Sequence, residues 1–524
     1  MKNQSFKEQL NRLLNCDLKS TFPIAREKKR ELYFFVGPTN SGKTYQAMQE
    51  LIKADCGIYL APLRLLALEN YEYLKEQDIP ISLITGEEEK IDDDAGHMCS
   101  TIEMINFEFD VDICVIDEVQ MIEDSDRGWA WVNAIVGAPA DKIIMTGSVN
   151  ALSAIKQIAE YLEEDLKVVK FKRKVPLEVL QKPTSLKHIK KHTAFIAFSR
   201  TKVLELKSKL SKHHKVSVLY GNLSPEVRRE EARRFRDGES DILVATDAIA
   251  MGLNLPIETI IFTADSKFDG TKQRPLMPNE VIQIAGRAGR YTHHDNGYIG
   301  GTNQSILEHI DVQFNSPLHT IKPPFPVKAT TFQILAIAKY LKTDSLKKIL
   351  KYFANNMNFS GPFVAANISS MLELSREIDN KEQLSLEEKY MLAGAPVNMK
   401  SPLIKSAFHF YVNAIIKKEV VSYKQTVTKN KIARTQQELL KAEDEIKKIS
   451  LYLWLAYKLP ELFPDSQKAE LARGRVNQYC VSSLKSNRLL KAPVARQNNH
   501  PRRDGGRDRN RNRSRSRNRR RSRN

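Results

Sequence analysis

Two successive blocks of short apolar or β-branched runs, each run followed by a polar or amphipathic stretch, constrain this chain more than any other feature. From Glu31 to about Ser148 the runs are ELYFFVG, GIYLAP, ISLIT, DICVIDE and KIIMTGS. After a basic stretch at Lys170 to Lys174 the rhythm restarts with TAFIAFS, VSVLYG, DILVATD and TIIFTA. Strands covered on both faces read as continuous apolar runs, and the helices between them make the crossovers that parallel strands need. The expected fold class is therefore α/β, with two tandem parallel-sheet domains over 31–165 and 166–325. Past the proline-rich IKPPFP the strand signal ends. Residues 331 to 475 read as helix, including FQILAIAKYL, a charged stretch from Lys405 to Lys448 and LYLWLAYKL, which predicts an all-helical domain over 326–485.

The ends differ from the body. In segment 1–30, Phe6, Leu10, Leu13 and Leu14 recur at helical spacing, while Glu8 and Asp17 interrupt what an organellar transit helix would require, so a short docking helix is expected. From about residue 493 the chain is Arg, Asn, Ser and Asp with almost no apolar side chain. No core offsets the entropy of ordering such a segment, and 486–524 is expected to be a disordered basic tail.

Lys and Arg number 82 against 63 Asp and Glu, a formal charge of +19 over 524 residues. Residues 501 to 524 hold twelve Arg and two Asp, so this end supplies +10 and the rest of the chain is basic as well. That excess suits a polyanionic partner. The five cysteines are scattered and never spaced C-x-x-C, which argues against a disulfide framework and a zinc site. No apolar run reaches the ~18 residues of a membrane span. An intracellular protein without a membrane partner is expected, and the paired His213/His214 and His293/His294 read as surface residues.

Directly after the strand ELYFFV comes GPTNSGKT, which matches G-x-x-x-x-G-K-[ST] between a strand and a helix. The loop Gly37, Pro38, Thr39, Asn40, Ser41 and Gly42, with the helix start, would cradle phosphate through its backbone N–H groups, which Pro38 alone lacks. Gly37 and Gly42 allow conformations and approaches that a Cβ would obstruct. Lys43 would reach the β and γ phosphates, and Thr44 would coordinate Mg²⁺. Asp117 and Glu118 end the buried strand DICVI. At the carboxyl edge of a parallel sheet, Asp117 suits the Mg²⁺ shell and Glu118 suits orienting and deprotonating a water. Such a pair alone is more often a solvated strand end; the upstream phosphate loop reverses that reading.

A nucleoside kinase of the thymidine kinase type carries a similar loop and a D-E-x-Q box, but on one α/β domain with a cysteine-bound zinc lobe. The alternative is a nucleic-acid-driven ATPase with two RecA-like domains around the nucleotide. The second block decides between them: ATDAIAMGLNLP follows DILV, and QIAGRAGR (Gln283 to Arg290) is read as opening a helix. Arg287 and Arg290, three apart on one face, would neutralise γ-phosphate charge from across the cleft.

GPTNSGKT, APLRLLA, TGEE, DEVQMI, RGWAW, TGS, ATDAIAMGLNL and QIAGRAGR, in this order, resemble the suppressor-of-Var (Suv-type) helicases of superfamily two. The likeness runs from about Tyr33 to Tyr457 and includes LSLEEKYMLAGAPVN and LYLWLAYKL. It implies an ATP hydrolase coupled to unwinding of RNA, with DNA and hybrids as further candidates, moving 3′-to-5′ along one strand in RNA turnover. The cofactors implied are ATP and Mg²⁺. The partners are single-stranded and duplex RNA and a 3′-to-5′ exoribonuclease such as polynucleotide phosphorylase. Motif position implies that Gln283 positions water or γ-phosphate, that Arg287 and Arg290 form the finger pair, and that Gly252 approaches the nucleotide. Thr146 and Ser148 would link hydrolysis to domain movement. Strand contacts are implied for Pro62, Arg64, Thr85, Gly86, Thr101, Glu103, Ser199, Arg200 and Thr246. The short N-terminal extension and the Arg/Ser/Asn tail depart from the family and favour a cytoplasmic, bacterial-type relative over the mitochondrial matrix.

A motor that passes any sequence grips phosphates with hydroxyls, N–H groups and arginines rather than reading bases. Thr85, Thr101 and Thr246 also stand where a strand gives way, and threonine caps such places. Trp129 and Trp131 read as packing residues. An ATP-gated RNA clamp without processive unwinding is the rival from another class. The tail reads as an RNA tether rather than a solubilising end. Truncation at about residue 493 is expected to leave basal ATPase unchanged while RNA affinity and the steepness of its salt dependence both fall. An unchanged slope in a binding titration would show that the tail touches no phosphate.

Overall fold

The computed structural model describes residues 14–250, 254–289, 296–424 and 431–486. The expected N-terminal docking helix and the basic tail lie outside them. In the first domain the elements are β1 (Glu31–Val36), α1 (Lys43–Lys53), β2 (Gly57–Ala61), α2 (Arg64–Lys75), β3 (Ile81–Ile84), β4 (Glu89–Lys90), β5 (His97–Thr101), β6 (Val111–Ile116), α3 (Gly128–Gly137), β7 (Ala140–Gly147), α4 (Leu152–Leu162) and β8 (Leu166–Lys170). The sheet order is β4-β3-β5-β2-β6-β7-β1-β8, with only β4 antiparallel. The central strands are apolar along their whole length because helices cover both faces: every residue of β2 is buried.

The second domain comprises β9 (Leu177–Val179), β10 (Thr193–Ile196), α5 (Arg200–Leu210), β11 (Val216–Leu219), α6 (Pro225–Arg236), β12 (Ile242–Ala245), β13 (Thr259–Phe262), α7 (Pro278–Ala285), β14 (Gly297–Gly301) and α8 (Gln304–Asn315). Its six strands are all parallel in the order β9-β14-β13-β10-β12-β11. Both RecA-like domains present the carboxyl ends of their inner strands to one crevice. The helical region follows with α9 (Thr331–Leu341), α10 (Leu346–Asn356), α11 (Ser369–Ile378), α12 (Leu386–Ala393), α13 (Pro402–Lys417), α14 (Gln436–Lys458) and α15 (Ser466–Lys485). No described helix is long and apolar enough to cross a membrane.

Three expectations need correction. The first sheet does not stop at 165: β8 pairs along β1 from Leu32↔Leu166 to Val36↔Lys170, so the LKVVK alternation is an edge strand and the boundary moves past Lys170. The region after 325 is not purely helical, because Phe325–Val327 pairs with Phe363–Ala365 and Asn15–Cys16 with Asn358–Phe359. These pairs are two or three residues long, too short to leave a periodic signal. The QIAGRAGR segment closes a helix instead of opening one. The helix begins upstream with Pro278 at its first position and Glu280 in its first turn, Gly286 is the C-cap, and Gly289 turns the chain at φ +61°.

The long α14 and α15 are tied to both RecA-like domains. On the second, the Arg200 guanidinium donates twice to the fully buried Glu443 carboxylate (2.8 and 2.9 Å), Tyr220 Oη donates to it at 2.6 Å, and Ser224 Oγ donates to Asn477 at 2.8 Å. On the first, Ser450 Oγ and Arg473 bond Glu87 at 2.7 and 3.2 Å. Glu443→Ala leaves Arg200 without its counter-charge at a closed interface and is expected to destabilise that docking by about 3 to 5 kcal/mol. The midpoint of thermal unfolding should fall; an unchanged midpoint would show that the pair does not hold α14 in place.

Candidate active site

Gly37 to Gly42 join the carboxyl end of β1 to the start of α1, and the Gly37 N–H donates to Gly147 O at 3.1 Å, fixing the loop to the adjoining strand β7. Gly42 takes φ +89° as the residue before α1, a conformation that places successive N–H groups on the concave side at little steric cost. Lys43 is buried, and its ammonium folds back to Pro38 O at 3.4 Å. Ser41 Oγ is buried with no hydrogen-bond partner among the described residues. A polar atom orphaned inside an anion cradle fits a phosphate oxygen.

Asp117 follows β6 directly and gathers a hydroxyl shell. Thr44 Oγ1 donates to Oδ1 at 3.1 Å, Tyr59 Oη donates to Oδ2 at 2.8 Å, and Thr146 Oγ1 donates to Oδ1. Burial pushes the Asp117 carboxyl up and the Glu118 charge adds to this, while the Thr146 and Tyr59 hydroxyls and the Lys43 charge oppose them. Burial beside Asp117 likewise carries the Tyr59 phenol well above its ordinary value. Among the described residues no group of three His, Cys, Asp or Glu side chains could hold a metal. Mg²⁺ in nucleotide sites keeps waters and phosphate oxygens and takes one or two protein ligands. The hard oxygens of Thr44 and Asp117, with a buried carboxylate to neutralise, fit that donor set.

Glu118 adopts left-handed backbone at φ +54°. Its N–H donates to Asp117 Oδ1 at 3.0 Å, and its carboxylate accepts from the Gln120 amide. The Gln120 carbonyl in turn accepts the Ser148 N–H at 3.2 Å. Thr146 and Ser148 are thus bonded to the two acidic residues, the first directly and the second through Gln120.

The second domain closes the site. Residues Thr39 to Thr44, Asp117 and Glu118 share a cleft of about 1030 Å³ with Arg229, Arg233, Arg236 and Arg287. Arg287 is buried; one terminal nitrogen donates to Ala250 O and its Nε has no partner among the described residues. Burial weakens its hold on the proton, and Glu118, Asp117 and Glu69 across the cleft oppose that. A Cβ on Gly286 would lie 2.7 Å from the Thr39 side chain, so the turn carrying Arg287 rests on the phosphate loop. Gln283 is half-buried in the last turn of α7 and does not line the cleft. Gly252 and Arg290 lie outside the described residues.

Most of the residues expected to grip a strand are engaged with other groups of the protein. Arg127 donates to Pro62 O at 2.7 Å and to Glu103 at 2.6 Å, joining those two. Arg64 meets Glu87, Glu88 and Glu226 at 2.7 to 3.0 Å, and Arg200 meets Glu443 as described. Thr85 Oγ1, beside Gly86, bonds the carbonyl of Glu88 and the N–H of Glu87; Ser199 caps α5; Thr246 accepts the Ala248 N–H. Thr101 is buried and makes no capping bond. Trp131 is fully buried, with Nε1 on Asp117 O at 3.0 Å, whereas Trp129 is half-buried under the Lys328 ammonium. Sequence reasoning missed Tyr59, Gln120 and Arg173. Gln120 stands inside DEVQ and was legible there. The pairing of Tyr59 with Asp117 has no local signal, since 58 positions separate them.

Residues 19–171 match the family described as DEXQ-box helicase domain of Suv3, and 175–292 the Helicase conserved C-terminal domain. Residues 373–415 match Suv3 C-terminal domain 1, and 439–485 the ATP-dependent RNA helicase SUV3 C-terminal domain. The mitochondrial DExH-box ATP-dependent RNA helicase DExH16 of Arabidopsis thaliana is 34% identical over 479 residues, covering 89% of this chain and 83% of that one. The mitochondrial ATP-dependent RNA helicase SUV3 of Candida albicans is 34% identical over 501 residues, covering 89% and 70%. The solved structure of S. cerevisiae Dbp5 bound to RNA and ADP BeF3 covers 61% of this chain and 89% of that one at 18% identity, with a TM-score of 0.43.

Lys43→Ala and Glu118→Gln are each expected to abolish ATP hydrolysis while single-stranded RNA still binds. RNA-stimulated turnover surviving in either variant would remove that residue from the chemistry.

Proposed function

Because this chain belongs to the Suv3 family of ATP-dependent RNA helicases, we propose that its two RecA-like domains hydrolyse ATP between them and convert closure into 3′-to-5′ movement along RNA. The observation that carries this reading is the shared cleft, in which Lys43, Thr44, Asp117 and Glu118 face Arg287 from the other domain. Lys43 and the loop N–H groups bind the β and γ phosphates. Thr44 and Asp117 would hold Mg²⁺, which when bound would neutralise charge on the phosphate oxygens. Glu118, steadied by Gln120, orients the attacking water and takes its proton. Arg287 and Arg290 offset charge that grows on the γ-phosphate, a contribution of about 10³ to 10⁵ in rate for such fingers. Motif position assigns Gln283 and Gly252 to the nucleotide as well, although Gln283 does not line the cleft in this structure and must turn toward it.

Loss of the γ-phosphate removes the partner that holds Arg287 across the cleft, and the domains part. Thr146 and Ser148, bonded to Asp117 and through Gln120 to Glu118, carry that change into the following helix α4. Pro62, Arg64, Thr85, Gly86, Thr101, Glu103, Ser199, Arg200 and Thr246 are the proposed strand contacts. At Arg64 and Arg200 strand phosphate competes with the carboxylates these residues now meet. RNA turnover with a 3′-to-5′ exoribonuclease such as polynucleotide phosphorylase is the proposed setting. The relatives' mitochondrial names favour the matrix and lend no support to the cytoplasm.

Strand displacement with ATP and Mg²⁺ is expected on a duplex with a 3′ overhang and not on one with a 5′ overhang, and chelation of the metal should stop it. Hydrolysis without displacement on either duplex would favour the clamp reading; displacement from the 5′ overhang alone would reverse the polarity.

A further inference from the structure

Arg173 lies in the segment between β8 and β9 that joins the two sheets. A guanidinium has five N–H donors in a rigid fork, and here carbonyls of three separate segments receive them. Nε donates to Val175 O at 2.7 Å within the joining segment. One terminal nitrogen donates to Thr39 O of the phosphate loop at 2.9 Å and to Gly286 O at 2.8 Å. The other donates to Ala288 O and, at 3.3 Å, to Gly289 O. The last three carbonyls belong to the turn that ends α7 and carries Arg287, where unsatisfied carbonyls concentrate partial negative charge. Asn40 Nδ2 reaches the same Gly289 O at 3.0 Å from the phosphate loop.

We propose that Arg173 is a positioning residue that clamps the phosphate loop to the turn after α7 and so sets the Arg287 guanidinium opposite the γ-phosphate. The assignment rests on the two-domain reading of hydrolysis given above. Arg173 does not line the cleft, so it acts through Thr39 and Arg287. No carboxylate among the described residues offsets its charge; burial, with the Arg287 charge beside it, brings it down to about 10, and it stays protonated at neutral pH. Two guanidiniums close together, both hydrogen-bonded to carbonyls and to no carboxylate among the described residues, disfavour the clamped arrangement until a polyanion enters the cleft. A lysine could reach one or two of these carbonyls but could not span all three segments.

The test uses the full chain with Arg173→Ala, Arg173→Gln and Arg173→Lys. It measures RNA-stimulated kcat and KM, the affinities for ADP and for ADP with aluminium fluoride and Mg²⁺, single-stranded RNA binding and thermal unfolding. In Arg173→Ala and Arg173→Gln, kcat is expected to fall about 10²-fold, as misplacing a catalytic group does, while KM and ADP affinity stay within about twofold. Affinity for the aluminium fluoride complex should fall in step with kcat, and Arg173→Lys should recover part of both. A kcat within about twofold of the unaltered chain overturns the proposal. So does a parallel loss of ADP affinity, RNA binding and unfolding temperature in all three variants, which marks a general structural role. Failure of the underlying reading has a separate signature: Arg287→Ala would hydrolyse ATP at the unaltered rate, and the proposal would fall with it.

Discussion

The contact between the phosphate loop of one sheet and the turn after α7 of the other determines where every charge in the cleft stands. Thr39 packs against Gly286, Asn40 bonds Gly289, and Arg173 bonds both sides. With the domains apart, Arg287 would face water and its field at the γ-phosphate would be screened. With them together, Arg287 and Asp117 are both buried at the cleft. A charge buried without a full set of partners is costly, and a triphosphate with its metal is the ligand that satisfies these. The same geometry that binds nucleotide therefore favours closure when nucleotide is present.

Closure reaches the helical region through a second set of contacts. Arg64, Glu87 and Glu88 come from the first domain, Glu226 from the second, and Arg473 and Ser450 from α15 and α14. These groups meet at one junction, so relative motion of the two sheets alters partners on all three bodies. Glu443 binds Arg200 and Tyr220 more exclusively and makes α14 a fixed attachment to the second domain. The helical region therefore rests on both RecA-like domains, through Glu443 on the second and through contacts such as Phe363 against Tyr161 on the first, and is sensitive to their separation.

Local chemistry was legible in the sequence where one short segment contains both the structural signal and the functional group. GPTNSGKT is bounded by a strand and a helix, and Asp117 and Glu118 end an apolar run, so their placement at a sheet edge needed no long-range information. The partners of Asp117 did require it: Tyr59 and Thr146 come from other strands, brought in by sheet order rather than by spacing. The strand HMCST escaped notice because Ser100 and Thr101 are buried polar residues in a fully covered sheet. Arg173 belongs to the basic boundary at Lys170 to Lys174, where charge pattern alone does not distinguish a solvated arginine from one that bonds five carbonyls. The helix at QIAGRAGR was misplaced by one element because its start signal, Pro278 with Glu280, lies upstream of the motif.

The central claim is that charge for cleaving the triphosphate comes from both sheets. A crystal structure of the chain with single-stranded RNA, Mg²⁺ and ADP–beryllium fluoride measures this directly. The account predicts that the Arg287 guanidinium leaves the Ala250 carbonyl and lies within about 3 Å of a fluoride, with Lys43 on the opposite side. Arg287 still bonded to Ala250, or withdrawn to solvent while the fluoride is held by the first domain alone, would contradict it.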